Sequence, residues 1–433
     1  MILSLLFFSW GSFSYIVLML LSVVFNYLAV IKMDSVKAQS GRKNFLTLLV
    51  TFNLLIIFVF KYLGFFVTNF NSVFGSGIFV EKLVQPLGIS FYTFQVLSYV
   101  FDVYKKDIQA EKNPLKLALY FLMFPQLLSG PIMRYGELRP QMETKLIKLS
   151  MVADGMERFV VGLFKKVFIA NTLGGLWTTI KGMDPGSLSV LTSWVGIIAF
   201  TLYIYFDFSG YMDMALGTAN MFGYKLQENF DFPYISRSVS EFWRRWHMTL
   251  GRWFRDYIYI PMGGSRNGNV SLVINTMTVW TVTGLWHGAS WNFVIWGIYL
   301  GVVILLEKFV IGDFLLKLPK VISNIYTMIM IMIGWVLFDT PSLGYAGAYI
   351  KVLFGGGKLF DSMGTYSLYT YLVIFILAVV LSGPAIYNRF NFIKYRMTNL
   401  RRVILLAGLS IMFAISVAYV LNQTFSPSMY IGF

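Results

Sequence analysis

The chain contains two histidines, His247 and His287, and no cysteine. Imidazole exchanges protons near neutral pH, so acid–base chemistry that uses imidazole must use one or both of these residues. Without cysteine there is no thiolate nucleophile, disulfide or iron–sulfur site, and two histidines are too few for a closed zinc site. We therefore predict no metal site. The sequence also has no G-x-S-x-G elbow, P-loop or dinucleotide motif, which disfavours serine hydrolysis and direct use of ATP.

His287 lies in the apolar segment TVTGLWHGASWNFVIWG, directly between Trp286 and Gly288. Two interpretations of this residue are open. A buried neutral imidazole can simply donate to a neighbouring carbonyl group. Alternatively it acts as a base, because burial lowers the pKa of an imidazole and keeps it unprotonated near neutral pH.

His247 lies in the segment SVSEFWRRWHMTLGRWFRDYIYIP, where Ser238 and Glu241 have the spacing of a helix capping box. Apolar residues recur there every three or four positions, which predicts one amphipathic helix over residues 238–261. The apolar stripe consists of Val239, Phe242, Trp246, Leu250, Trp253 and Tyr257, and the polar face of Arg244, Arg245, Met248, Arg252, Arg255 and Asp256. Such a helix fits an interfacial surface helix whose arginines bind lipid phosphates, or a functional site beside a cavity.

Two further carboxylates, Asp207 and Asp213, occur in the apolar segment YFDFSGYMDMALG. Ionisable groups at membrane depth are costly and are therefore candidates for function. For Asp207 we favour a structural role, as a helix cap or the partner of a cation. Asp213 is a candidate substrate-binding residue.

The composition places these residues in a membrane protein. Of the 433 residues, 57% are hydrophobic and only 13% are charged, more apolar side chain than a soluble core can bury. The net charge of +15 fits basic cytoplasmic loops under the positive-inside rule, and we expect no binding of nucleic acid.

About ten or eleven apolar segments are expected to enter the membrane, several of them too short to cross it. Residues 115–128 are short and end in Ser-Gly-Pro, which predicts a broken or re-entrant helix. Residues 152–170 carry Lys165 and Lys166 and are expected to lie partly in the interface.

Gly284, Gly288 and Gly297 permit close approach of backbones or a helix break. No linker divides the chain, so one transmembrane domain over residues 1–433 is expected.

Six segments resemble the membrane-bound O-acyltransferase family, in its alginate O-acetyltransferase-like bacterial branch. They occur in the expected order between Pro86 and Trp291, and the last two are the most specific. The segments are PLGISFYTFQVLSYVFDVY, FPQLLSGPIMRY, GLFKKVFIAN, YFDFSGYMDMALG, ENFDFPYISRSVSEFWRRWHMTLGRWFRDYIYIPMGGSR and GLWHGASW. The chain departs from the branch at Asn171, where Asp is frequent, and at Asp339, where a basic residue is common.

The resemblance implies an all-α polytopic fold around a central funnel or tunnel, and acyl transfer to a hydroxyl group. It makes His287 the principal catalytic histidine and His247 the second. As residues that bind donor or substrate we predict Trp243, Arg244, Arg245, Trp246, Arg255, Asp256, Trp286 and Asp213. Arginine pairs well with phosphate, so acetyl-CoA is the expected co-substrate, with no resident cofactor.

The branch favours an exported polysaccharide as the acceptor, such as an exopolysaccharide or peptidoglycan, often reached through a separate periplasmic partner protein. The expected location is the bacterial inner membrane, with the donor on the cytoplasmic side. Two alternatives stay open: D-alanyl transfer to teichoic acid from a carrier protein, and a transporter without enzymatic activity that uses Arg and His along its pathway.

Overall fold

The computed structural model describes residues 1–81, 83–144, 146–394 and 398–422, and within these ranges the chain forms helices and no β-strand. The helices in the first half are α1 (Ile2–Ser12), α2 (Ile16–Ser35), α3 (Gln39–Ile57), α4 (Leu63–Phe74), α5 (Ile89–Lys105), α6 (Pro114–Leu122), α7 (Phe124–Leu127), α8 (Tyr135–Glu143), α9 (Leu149–Phe164), α10 (Asn171–Lys181) and α11 (Val190–Met221). Those in the second half are α12 (Val239–Arg245), α13 (Met248–Phe254), α14 (Gly268–His287), α15 (Trp291–Leu306), α16 (Gly312–Lys317), α17 (Lys320–Asp339), α18 (Leu343–Leu353), α19 (Ser362–Leu381), α20 (Pro384–Lys394) and α21 (Asn399–Leu421).

Eight helical stretches among the described residues are long and apolar enough to cross a bilayer, since about 20 residues span its core. Three of them run through a π-helical turn without ending. The spans are Phe13–Ser35, Gln39–Phe74, Leu149–Lys181, Val190–Met221, Trp291–Lys317, Lys320–Asp339, Ser362–Leu381 and Asn399–Leu421. The predicted fold class, a polytopic all-α membrane protein, is confirmed. The predicted break within residues 115–128 is also present, because α6 ends at Leu122 and the four-residue α7 follows.

Lys165 and Lys166 belong to the 33-residue span Leu149–Lys181. This stretch is longer than the roughly 20 residues that cross the bilayer core, so the partial location in the interface stays a prediction. Both lysines are paired with carboxylates of α11: Lys165 Nζ lies 2.7 Å from Asp213 Oδ2, and Lys166 pairs with buried Asp207. These carboxylates offset the cost of placing the two ammonium groups in the span. The structural interpretation of Asp207 therefore agrees with the geometry.

Close helix crossings depend on the glycines. A Cβ atom on Gly162 of α9 would lie 2.6 Å from the Gly210 carbonyl oxygen of α11. On Gly284 of α14 it would lie 2.2 Å from the Phe293 oxygen of α15, and on Gly297 it would lie 2.3 Å from the Trp280 oxygen. Only hydrogen fits at these contacts, as is common where membrane helices pack. The expected close approach at Gly284 and Gly297 is confirmed.

The prediction of one continuous helix over residues 238–261 is wrong. The Ser238 hydroxyl caps α12 as expected, accepting from Glu241 N at 3.0 Å, but α12 ends at Arg245 and α13 begins at Met248. At the break, backbone groups pair with residues 229–231 and not within the helix. Asp231 N donates to Arg245 O, and Met248 N donates to Asn229 O. His247 stands at the corner with φ of 46°, a left-handed conformation. A helix cannot continue through it.

The predicted apolar stripe is nevertheless buried, and the corner divides it between two hydrophobic clusters. Val239, Phe242 and Trp246 pack in the large cluster around α10, α11, α15 and α17. Leu250, Trp253 and Tyr257 pack with Phe91, Phe94 and Trp286. His247 lies where the two clusters meet.

Candidate active site

The two histidines converge although 40 residues separate them in the chain. Both are buried, with 2% of His247 and 3% of His287 exposed. Trp286 is in ring contact with both: its ring centroid is 6.3 Å from that of His247 and 4.9 Å from that of His287. Both also line one cavity. The fold therefore places the two imidazoles in a single site.

His287 is the last residue of α14 and is surrounded by aromatic rings. Its ring centroid lies 5.1 Å from Trp296 and 5.3 Å from Phe338, both in edge-on contacts. Gly288 then leaves the helix in an extended conformation with φ of −176°. The helix therefore ends at His287.

His247 is held by Asn229. The amide oxygen of Asn229 accepts from Thr249 N at 3.0 Å, and His247 Nδ1 lies 3.2 Å from the same oxygen. Because that oxygen can only accept, the contact requires a proton on Nδ1 and leaves Nε2 as the basic nitrogen. The ring packs edge-on against Phe208, with 4.8 Å between centroids. Sequence reasoning missed Asn229, because nothing in its local pattern indicates a partner 18 residues away.

Two cavities meet at His287. The first, which we call the arginine cavity, has a volume of about 570 Å³, and the second, the lysine cavity, about 690 Å³. The arginine cavity is lined by residues that include Trp243, Arg244, Trp246, His247, Arg252, Arg255 and His287. The lysine cavity is lined by residues that include Lys61, Phe65, Thr68, Asn71, Glu81, His287 and Ala289. His287 is thus a lining residue of both cavities.

The cavities lie towards opposite ends of the span Gln39–Phe74. Near its start, Arg42 donates to the carbonyl groups of Val103 and Tyr104 at the end of α5. The next residue, Lys105, lies over the Tyr257 ring, two residues from Arg255 of the arginine cavity. At the other end of the span, the loop after Phe74 supplies lining residues of the lysine cavity, Glu81 among them.

The predicted substrate-binding residues separate into two groups. Trp243, Arg244, Trp246 and Arg255 line the arginine cavity, and Trp286 packs against both histidines. The other three form ion pairs and line neither cavity. Arg245 pairs with Asp231 and Glu241, Asp213 with Arg158 and Lys165, and Asp256 with Arg134 and Arg255.

The arginines of the cavity differ in how strongly they are held. Arg252 forms a bidentate ion pair with Glu137, in which the two guanidinium nitrogens lie 2.9 and 3.3 Å from the two carboxylate oxygens. Arg255 pairs with Asp256, which also pairs with Arg134. Arg244 is exposed and forms no ion pair within the described part of the chain. It is the cation of this cavity that an anionic ligand can reach without breaking a contact.

Residues outside the predicted set complete the site. Lys61, from a span read only as apolar, lines the lysine cavity. Glu307 is buried in another span and accepts from Val239 N at 2.6 Å and Ser240 N at 2.9 Å, fixing the start of α12. In the sequence, each of these two residues is a charged side chain within an apolar segment. Burying a charge in a membrane costs free energy, so such a residue is a candidate for a functional or structural role.

Comparison with known proteins places most of the chain in one family. A model of the membrane-bound O-acyltransferase family matches residues 4–340. The probable alginate O-acetylase AlgI of Azotobacter vinelandii is 36% identical over 360 residues, which cover 82% of this chain and 72% of that protein. The peptidoglycan O-acetyltransferase of Helicobacter pylori is 33% identical over 383 residues, 81% of this chain and 72% of the other. The teichoic acid D-alanyltransferase of Streptococcus thermophilus is 29% identical over 262 residues, 56% and 60% of the two chains.

Proposed function

The chain belongs to the membrane-bound O-acyltransferase family, and we propose that it transfers an acetyl group from acetyl-CoA to an exported polysaccharide of the cell envelope. As a member of this family it is a multi-pass membrane enzyme that transfers acyl groups to hydroxyl oxygen. The choice of acetyl, of acetyl-CoA and of a polysaccharide such as an alginate-like exopolysaccharide or peptidoglycan is our proposal. Relatives named as alginate and peptidoglycan O-acetylating enzymes support it, because they cover about four-fifths of the chain.

The observation that carries the proposal is that His287 lines both cavities. A donor in the arginine cavity and an acceptor hydroxyl from the lysine cavity would meet at one imidazole. His287 then removes the proton from the hydroxyl as its oxygen attacks the thioester carbonyl carbon. The new C–O bond forms, the C–S bond breaks, and the thiolate of CoA leaves and takes up a proton. General-base assistance of this kind is worth about 10²–10⁴-fold in rate.

The surroundings of the donor follow from its charge. Acetyl-CoA carries phosphate groups, which arginine binds well, and Arg244 and Arg255 stand at the arginine cavity. Lys32, Lys37, Arg42 and Lys43 lie at the same end of the span Gln39–Phe74, and clustered basic residues favour the cytoplasmic side. We propose that this end faces the cytoplasm of a bacterial inner membrane, where acetyl-CoA is made. His247 would orient the thioester beside His287.

The acceptor would reach the lysine cavity from the other side of the membrane. A polymer cannot enter a cavity of about 690 Å³ whole, so a single sugar hydroxyl or an acyl-accepting partner protein must present itself there. A periplasmic partner that completes the transfer to the polysaccharide fits this limit. D-alanyl transfer from a carrier protein is the second candidate, favoured by the teichoic acid D-alanyltransferase relatives, which match a smaller part of the chain.

The test uses the purified full chain in detergent with acetyl-CoA labelled in the acetyl group and a soluble sugar oligomer that supplies the acceptor hydroxyl. We expect release of free CoA that depends on active enzyme, and His287→Ala should lower it by about 10²–10⁴-fold while the variant inserts and purifies as the wild type does. Wild-type rates in His287→Ala would remove this residue from the chemistry. No CoA release, with turnover of a D-alanyl-loaded carrier protein instead, would favour the second candidate. Movement of a solute across proteoliposomes without acyl cleavage would indicate a transporter.

A further inference from the structure

The end of α14, which carries His287, is held by two side chains from another span. The last carbonyl groups of a helix have no donor within it and need partners when they are buried. The Tyr62 hydroxyl donates to Leu285 O at 2.9 Å, and Lys61 Nζ donates to Trp286 O at 2.5 Å. Both side chains come from the π-helical turn Phe58–Tyr62 within the span Gln39–Phe74.

Lys61 is unusual in its surroundings. Only 7% of the side chain is exposed, and Nζ donates its other observed hydrogen bond to Ser90 Oγ at 3.2 Å. It lies 5.6 Å from the centroid of the Trp286 ring. Within the described part of the chain no carboxylate pairs with it. Placing a lysine at membrane depth without an acidic partner costs free energy. We therefore infer that Lys61 has a role that a neutral side chain would not fill as well.

The position of Lys61 connects its role with His287. It lines the lysine cavity together with His287, and the two residues are close enough to interact electrostatically. The carbonyl it binds belongs to the residue directly before His287. An ammonium group at the end of a helix is also favoured by the partial negative charge of the last carbonyl groups. The π-helical turn, which inserts an extra residue into a helix, is a device frequently found at functional sites.

We propose that Lys61 is a positioning residue of the acyl transfer: it holds the Trp286 carbonyl and thereby fixes the His287 imidazole between the two cavities. The inference rests on the proposed function, because it assigns Lys61 a part in the reaction of His287. Lys61 acts through the end of α14 and does not line the arginine cavity. Its loss should therefore affect turnover and leave donor affinity unchanged.

The kinetic test compares Lys61→Met with Lys61→Arg, which keeps the charge and the donors. A catalytic group misplaced by about 1 Å can lose about 10²-fold in rate, so we expect about that loss of kcat in Lys61→Met with the KM for acetyl-CoA unchanged. Lys61→Arg should recover most of the loss. Lys308→Met is the matched control: this lysine also lies in a π-helical turn, Glu307–Ile311, but is exposed, and its replacement should leave kcat as in the wild type. Equal kcat in Lys61→Met and the wild type would overturn the proposal.

A second measurement does not depend on activity. Because the chain has no cysteine, Ala289→Cys places a single thiol in the lysine cavity, two residues after His287. We expect Lys61→Met to change its rate of maleimide labelling several-fold and Lys308→Met to leave it unchanged. Reduced kcat with unchanged labelling would overturn positioning in favour of a direct effect of the charge. If the wild type released no CoA, the proposed function would fail, whereas the labelling would still report whether Lys61 holds this segment.

Discussion

Arg244 and Arg245 are neighbours in the chain, but their guanidinium groups have different surroundings. Arg244 lines the arginine cavity and forms no ion pair within the described residues. Arg245 lines neither cavity and lies 2.7 Å from Asp231 and 3.0 Å from Glu241. Pairs of this kind near the surface contribute roughly 0–1 kcal/mol. The two arginines, which the sequence does not distinguish, therefore differ in their availability to a phosphate group.

At the scale of the residue, Arg244→Ala should raise the KM for acetyl-CoA about tenfold, since a hydrogen bond to a charged group is worth roughly 1.5–3 kcal/mol. Arg245→Ala should have a clearly smaller effect, because its charge is already used within the protein. Steady-state rates of CoA release over a range of acetyl-CoA concentrations measure both. Equal effects of the two substitutions would contradict the assignment of Arg244 to the donor.

At the scale of the element, the break between the short helices α12 and α13 allows residues of both to line one cavity. The corner between them puts His247 in a left-handed conformation and lets Trp243 and Arg244 face the same cavity as Arg252 and Arg255. The start of α12 is fixed by Glu307, whose carboxylate accepts from two backbone N–H groups and from the Ser240 hydroxyl at 2.8 Å. Glu307, in the π-helical turn that follows α15, thus sets the position of the helix that lines the arginine cavity.

Glu307→Ala should loosen this helix. It leaves the N–H groups of Val239 and Ser240 without their acceptor, and an unsatisfied buried donor costs roughly 1–3 kcal/mol. We expect a lower melting temperature in detergent and a higher KM for acetyl-CoA. Asp313→Ala, an exposed acidic residue six positions further along, is the control and should change neither. A variant with wild-type stability and wild-type KM would show that α12 does not depend on Glu307.

At the scale of the whole molecule, the two cavities share His287 as a lining residue and lie towards opposite ends of the 36-residue span Gln39–Phe74. This arrangement allows a charged donor to stay on one side of the bilayer while only its acyl group passes to the other. The alternative, moving the whole donor through lipid, would place several charges in the hydrocarbon core at large cost.

Single cysteines in the cysteine-free chain test this arrangement. Thr68→Cys lines the lysine cavity and Gly251→Cys the arginine cavity, and both positions are exposed. A membrane-impermeant maleimide added to intact spheroplasts should label Thr68→Cys and spare Gly251→Cys. Inverted membrane vesicles should give the opposite pattern. Labelling of both thiols from the same side would refute the two-sided site.

Several features of this protein follow from its sequence alone. The apolar composition made the chain a helical membrane protein, because only lipid can surround so many apolar side chains. The spacing of Val239, Phe242 and Trp246 predicted a buried face. The short apolar segment of residues 115–128 predicted a broken helix, although the break lies at Met123 and not at the Ser-Gly-Pro that follows residue 128. Two histidines in aromatic segments were the natural candidates for proton transfer. Each of these features depends on local sequence or on overall composition.

Tertiary structure alone decided how distant segments meet. The helix break at His247 depends on residues 229–231, and the cap on α14 depends on Lys61 and Tyr62, more than 200 residues earlier in the chain. The packing of the helices also decided that Arg245 and Asp213 line neither cavity and pair with charged neighbours, whereas Arg244 lines the arginine cavity without an ion pair among the described residues. Periodicity reports which face of a segment is buried, but the choice of partner depends on the three-dimensional packing of the helices.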